Sequence, residues 1–325
     1  MAENNNLEYI NEDEEIPVFV FTGFLESGKT TMVHDWLQEE YFNDGRKTVV
    51  IVCEEGVIEY NEENLAKKNV SVVYAEKAED FNEKLLADIS RKYKPANILI
   101  EHNCMAKIDD TFGIKFPDGW YIEDIITSID ASTFDVYMKN MGAVMSEQFR
   151  YSSLVIFNRC TSDTKKANLR ANIKALNPPA TVLFMNTDGS VEKADDVLPF
   201  DFNADVINIS DIDYGLWYID VMENIARYDG KTVHFKGMAI RPGGFPETAF
   251  IIGRKAMTCC SDDLAFLKLL CTSDKPVKLD NNDWLEITAE IEYRENDEPD
   301  SQVPVLKIKD IKKAEKPETE LVYFS

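Results

Sequence analysis

The sequence predicts an α/β fold, a doubly wound and mostly parallel sheet followed by a small closed β-barrel. Three observations carry that expectation. Short apolar runs alternate with helical patterns over the first two hundred or so residues, one strand-to-helix junction holds a glycine-rich turn, and from about residue 206 five strand-like runs follow a single helix. The expected organisation is a charged tail over 1–15, a first domain over 16–205 and a barrel domain with a leading helix over 206–325.

In chain order, Ile16–Phe21, Thr48–Cys53, Ile98–Glu101, Ile125–Ile129, Leu154–Phe157 and Thr181–Phe184 read as strands. They are mostly continuous Val, Ile, Phe and Leu runs, which suits strands covered on both faces. Helical patterns lie between them at Lys29–Tyr41, Ala78–Tyr93, Ser132–Arg150 and Thr164–Leu176, and Asn177-Pro178-Pro179 stops the last. Farther on, an amphipathic helix over Tyr214–Tyr228 precedes Asp229-Gly230. The strands Thr232–Ile240, Ala249–Met257, Leu264–Leu270, Trp284–Tyr293 and Val305–Ile311 follow, with turn residues between them. Five such strands without an intervening long helix predict an OB-like barrel.

Composition narrows the function classes. Among 325 residues, 35 are basic and 59 acidic, a net charge of −24. From residue 206 onward the count is 15 basic and 22 acidic, so no basic module hides within the average. Such a field repels phosphate backbones, and nucleic acid is excluded as an expected partner. The first 15 residues hold six acids and no Lys or Arg, the reverse of a signal peptide, and no apolar run approaches the length of a membrane span. Six scattered cysteines form no C-x-x-C pair, which fits a reducing compartment. A cytoplasmic protein, not itself embedded in a membrane, is the expectation.

Gly23-Phe24-Leu25-Glu26-Ser27-Gly28-Lys29-Thr30 fits G-x-x-x-x-G-K-[ST] without a mismatch, between an apolar strand and a helix. The chemistry requires this spacing. Gly23 and Gly28 let the backbone curl until several N–H groups face one phosphate, and the helix N-terminus adds a favourable dipole. Lys29 supplies a charge to the β- and γ-phosphates, and the Thr30 hydroxyl can ligate Mg²⁺. Gly23, Glu26, Ser27, Gly28, Lys29, Thr30 and Thr31 are therefore candidate nucleotide-binding residues, and the first domain is expected to be of P-loop NTPase type. A carboxylate near the metal is also needed. Glu101 ends a buried strand where it would face the loop, and Glu54 is a second candidate.

With these pieces placed, residues 16–190 resemble the CobW/HypB/UreG family of P-loop GTPases, which serve metal insertion and homeostasis. Thr22–Thr31 looks like that family's TGFLGSGKTT with Glu26 in place of Gly, and Cys53-Glu54-Glu55-Gly56 is similar to its NEFG segment. Ser128-Ile129-Asp130-Ala131 resembles its V-V-D-A strand end, and Glu147-Gln148-Phe149 through Asn158 its helix leading to the guanine-recognition loop. The resemblance implies a GTP site with Asn158 and Arg159 at the base and Mg²⁺ held near Thr30, Glu54 and Glu101. It makes Lys29 and Glu101 the candidate catalytic residues, and leaves room for a nucleotide-dependent dimer.

Three departures bear on that implication. The family's E-x-x-G is Glu101-His102-Asn103-Cys104 here, so the glycine whose N–H meets the γ-phosphate is a cysteine. N-K-x-D has become Asn158-Arg159-Cys160-Thr161, and Thr161 cannot accept the bidentate pair that guanine offers an aspartate, unless Asp163 reaches in instead. ATP therefore stays open beside GTP. The family's C-x-C-C metal motif is missing, since Ala75–Phe81 holds no thiol.

The C-terminal 120 or so residues resemble the soluble domain of YcgQ-type permease subunits, through Gly230-Lys231, the pair Cys259-Cys260 and the Pro-containing end at Lys316–Tyr323. Cys259 and Cys260 are candidate ligands for Zn²⁺ or another transition metal, with help from Cys271, Asp262, Asp263 or His234. Alternatively one thiol points into the barrel and its neighbour outward. Two functions are expected from these features. One is a slow Mg²⁺-dependent GTPase coupling nucleotide state to metal or cofactor delivery through a protein client. The other is a non-hydrolysing, nucleotide-regulated adaptor on a permease subunit or metalloenzyme.

Overall fold

The computed structural model describes residues 15–54, 56, 58–75, 77–192, 198–257, 264–295 and 302–324. By contacts the chain falls into two compact units, Met1–Asp163 with Pro179–Glu192, and Thr164–Pro178 with Lys193–Ser325. The helix over Lys166–Leu176, expected with the first domain, thus counts with the second unit.

The first unit is built from β1 (Ile16–Thr22), α1 (Lys29–Trp36), β2 (Thr48–Val52), α2 (Glu62–Lys67), β3 (Val70–Tyr74), α3 (Glu83–Tyr93) and β4 (Asn97–Glu101). It continues with α4 (Ile108–Phe112), β5 (Trp120–Asp130), α5 (Phe134–Phe149), β6 (Leu154–Cys160), β7 (Thr181–Asn186) and β8 (Val191–Glu192). The strand order is β3-β2-β4-β1-β5-β6-β7-β8, parallel except for the β7–β8 pair. Alternate residues of each central strand enter opposite cores. Val18, Val20, Ile98 and Ile100 pack on one face; Phe19, Phe21, Leu99 and Val50 pack on the other. That two-sided burial is why these strands read as unbroken apolar runs.

Local chemistry moved several boundaries. The third helix starts at Glu83 rather than Ala78, because the Asn82 side chain accepts from Leu85 N–H at 3.1 Å and caps it there, leaving Ala78–Asp80 as one 3-10 turn. The first helix ends at Trp36, short of the expected Tyr41. Edge strand β3 was not foreseen: its five residues follow Lys67-Lys68-Asn69, and the turn is made by Asn69 at φ 58°.

The second unit holds α6 (Lys166–Leu176), β9 (Val206–Asn208), α7 (Tyr214–Glu223), α8 (Ile225–Tyr228), β10 (Thr232–Ile240), β11 (Ala249–Met257), β12 (Leu264–Thr272), β13 (Asp283–Glu295) and β14 (Gln302–Lys313). Five strands close in the order β10-β11-β12-β14-β13-β10, with β12 and β14 parallel and the other pairs antiparallel. This is an OB-like barrel. The expected helix Tyr214–Tyr228 is two helices, broken at Asn224, whose side chain turns back to Asp220 at 2.7 Å. Tyr214 and Trp217 of α7 pack on Phe235 of β10 with ring centroids 5.5 and 4.9 Å apart. Among the described residues no helix is long and apolar enough to cross a membrane.

Candidate functional site

Because its central strands are parallel, the first sheet collects the loops after β1, β2, β4, β5 and β6 at one edge. Register pairs Phe21 with Glu101 and Asp130 with Asn158, which brings the polar residues at these strand ends together. The glycine-rich turn leaves β1 and enters α1 there. Gly23 has φ 128° and Gly28 φ 102°; a Cβ at Gly23 would stand 2.2 Å from the Ser128 carbonyl oxygen, and one at Gly28 2.8 Å from Asn158 Nδ2. Both positions therefore exclude any side chain. Glu26 also has positive φ, 61°, where the family pattern places glycine.

Neighbouring strand ends pin the turn. The Ser27 carbonyl accepts from Asn158 Nδ2 at 2.5 Å and from Ser128 Oγ at 2.6 Å. The Glu26 carbonyl accepts from both terminal nitrogens of Arg159, which also pairs with Asp130 at 2.6 Å. Arg159, expected against a base, is thus tied to the loop. Ser27 Oγ and Asn158 Oδ1 are buried and have no hydrogen-bond partner among the described residues.

Beside the loop lies a cleft of about 310 Å³, lined among others by Glu26, Gly28, Lys29, Thr30, Thr31, Glu54, Glu101 and Arg159. Lys29, 3% exposed, donates to the carbonyls of Gly23 (2.8 Å) and Phe24 (2.9 Å) and forms an ion pair with Glu54. Glu54 Oε2 also accepts from Cys104 N–H at 3.0 Å. Glu101, 2% exposed, accepts from Thr30 Oγ1 at 2.6 Å and from the Tyr60 hydroxyl at 2.7 Å. Burial, reinforced by Glu101, pushes the Tyr60 hydroxyl's pKa well up, so Tyr60 stays a donor.

Gln148 is a strut. Its Oε1 accepts from Gly23 N–H at 3.2 Å and its Nε2 donates to the Cys104 carbonyl at 2.9 Å, joining the loop to the segment after β4. His102 shares a hydrogen bond with Thr111 at 2.8 Å, and burial lowers its pKa to about 4, so it is neutral at pH 7. Sequence reasoning did not find the parts played by Tyr60 and Gln148. Gln148 lies in the Glu147-Gln148-Phe149 segment already noted as family-like, which was the available signal; nothing around Tyr60 marks it.

A profile of the CobW/HypB/UreG nucleotide-binding domain matches residues 17–184, over half of the chain. The chain belongs to this family. Its members are P-loop GTPases associated with metal delivery, so nucleotide binding with Mg²⁺ is the family's common property. The DUF1980 C-terminal domain matches residues 184–324, over the stretch that holds the barrel. Similar solved structures include the hydrogenase maturation factor HypB from Archaeoglobus fulgidus, 16% identical over 55% of this chain and 84% of that one, with a TM-score of 0.39. A Zn(II)-bound triple mutant of the YjiA GTPase is 18% identical over 81% and 90%, with a TM-score of 0.41. A comparison with curated proteins gives no match.

For the transition metal, Cys259, Cys260, Asp262 and Asp263 lie outside the described residues. Of the helpers considered for them, Cys271 and His234 are described. Cys271 is fully buried, its thiol pushed well up in pKa by that burial, and both His234 nitrogens are hydrogen-bonded, to Thr288 and Glu286 at 3.0 Å. No cluster of three or more His, Cys, Asp or Glu able to hold a metal occurs among the described residues.

Proposed function

We propose that the cleft beside the glycine-rich turn binds a nucleoside triphosphate with Mg²⁺, and that the protein is a slow GTPase whose nucleotide state is read by a client protein in metal or cofactor delivery or homeostasis. The observation that carries this reading is the convergence of Lys29, Thr30 and Glu101 in one cleft at the start of α1. The donor set fits Mg²⁺: the Thr30 hydroxyl and the Glu101 carboxylate are hard oxygens 2.6 Å apart. Bound there, the ion would neutralise charge on the β- and γ-phosphates. Lys29 would add its charge, and the loop amides would orient the chain of phosphates. The expected place of work is the cytoplasm, with the barrel facing a permease subunit or metalloenzyme client.

The base is held less strictly than the phosphates. Asn158 keeps its place against the loop, whereas Thr161 offers guanine no carboxylate, which supports weak discrimination of GTP from ATP.

The second reading, a non-hydrolysing adaptor, draws on Glu101. Both of its oxygens are engaged, by Thr30 and Tyr60, so it is not poised to take a proton from water. Calorimetry with GTP and ATP, with and without Mg²⁺, run beside a phosphate-release assay, tests both. Mg²⁺-dependent binding with turnover supports the GTPase; binding without release supports the adaptor; no binding of either nucleotide ends both.

A further inference from the structure

We propose that Glu54 occupies the seat of the γ-phosphate, so that the cleft prefers a nucleoside diphosphate until this carboxylate is expelled. The proposal rests on the nucleotide reading of the cleft and assigns a specificity-determining residue within it. Two donors are assigned to that seat: the loop lysine and, as the family resemblance implies, the backbone N–H at the end of the segment after the metal-side strand. Here they are Lys29 Nζ and Cys104 N–H, and one carboxylate takes both.

Both donors are already committed. Lys29 donates to Gly23 O and Phe24 O, and its ammonium is ion-paired with Glu54, whose Oε1 has no hydrogen-bond partner among the described residues. The Cys104 peptide is clamped from its other side, because its carbonyl accepts from Gln148 Nε2, whose own Oε1 holds Gly23 N–H. Its N–H therefore stays aimed where Glu54 now sits.

A terminal phosphate brought onto these two donors would meet a carboxylate at contact distance. Like charges in a site where Lys29 is 3% exposed repel strongly, so the two anions exclude one another. A diphosphate ends one phosphate short and can replace the two loop carbonyls on Lys29 while leaving Glu54 in place. Entry of a triphosphate thus releases Glu54. The freed carboxylate is then available to the metal, the role the family resemblance implies for it.

The test is Mg²⁺-free titration, in EDTA, of guanosine diphosphate and of a β,γ-imido guanosine triphosphate into the full chain and its Glu54→Ala and Glu54→Gln variants. The variants are compared in EDTA only, because Mg²⁺ would let a metal-ligand role of Glu54 intrude. Glu54→Ala should tighten the triphosphate analogue about tenfold and change the diphosphate by less than about threefold. Glu54→Gln keeps size and an acceptor for Cys104 N–H while losing the charge, and should fall between. Equal shifts for the two nucleotides, or no shift, overturn the proposal and leave the nucleotide site standing. Wild-type protein that binds neither nucleotide, in EDTA or in Mg²⁺, overturns the site and the proposal together.

Discussion

Charge is buried in both units of this chain, but on different terms. In the second unit Asp220, 1% exposed, shares its carboxylate with Arg227 (2.7 and 2.8 Å), Tyr228, Asn224 (2.7 Å) and Arg170 (3.5 Å). These partners come from α6, from α8 and from the break between α7 and α8. At the edge of the parallel sheet, the Lys29 and Glu54 side chains are 3% and 8% exposed, and both line an open cleft of about 310 Å³. Asp220 is satisfied by groups of its own unit, whereas the pair at the sheet edge borders a cleft, where the proposed nucleotide would displace one partner. Burial of a charge alone does not separate a structural ion pair from a waiting site; what the pair opens onto does.

The sharpest way to break this contrast is Asp220→Ala. Removing the hub leaves Arg227 and Arg170 without their buried acid, and a loss of about 3–5 kcal/mol in the second unit's stability is expected. Denaturant unfolding followed by the emission of a variant that keeps Trp217 as its one tryptophan measures it; a loss under about 1 kcal/mol would show that the cluster is not needed for folding. Lys29→Ala should act on binding, weakening triphosphate affinity by about a hundredfold in calorimetry. Undiminished affinity would remove Lys29 from the site.

A matched pair of tyrosines sharpens the comparison. Tyr228 and Tyr60 each donate a hydroxyl to a buried carboxylate, Asp220 and Glu101. Tyr228→Phe should cost about 1–3 kcal/mol, while Tyr60→Phe should cost about 0.5 kcal/mol because cleft water can replace the lost donor. Equal costs in thermal unfolding would mean that the two environments do not differ. An effect of the opposite sign is expected from Glu26→Gly. It relieves a non-glycine residue at φ 61° and takes an acid off the glycine-rich turn. Relief of about 1 kcal/mol should raise the first unit's stability, read by thermal unfolding; no gain would show that the loop is unstrained there.

Much of the fold was legible because its causes are local. The apolar runs of β1, β2 and β4 announce a parallel sheet, since strands buried on both faces cannot alternate. Period-two patterning such as Val233, Phe235 and Ala239 marks the barrel. Edge strand β3 escaped because it is short and half-buried, so its pattern is weak. The break at Asn224 escaped because helical periodicity continues through it; the side-chain bond to Asp220 that accompanies the break is tertiary.

At the candidate site the spacing of Gly23, Gly28, Lys29 and Thr30 marks a phosphate loop from sequence, because the backbone there must adopt conformations open chiefly to glycine. Which acid meets Lys29 was not decidable that way. Glu54 and Glu101 both follow apolar strands, and only the stacking of β2, β4 and β1 side by side hands Glu54 to Lys29 and Glu101 to Thr30. Gln148 reaches Gly23 across 125 residues of chain by the same means. Periodicity and turn chemistry are properties of neighbours in sequence and can be read there; the pairing of buried charges depends on which strand ends the sheet sets adjacent, and that exists only once the chain has folded.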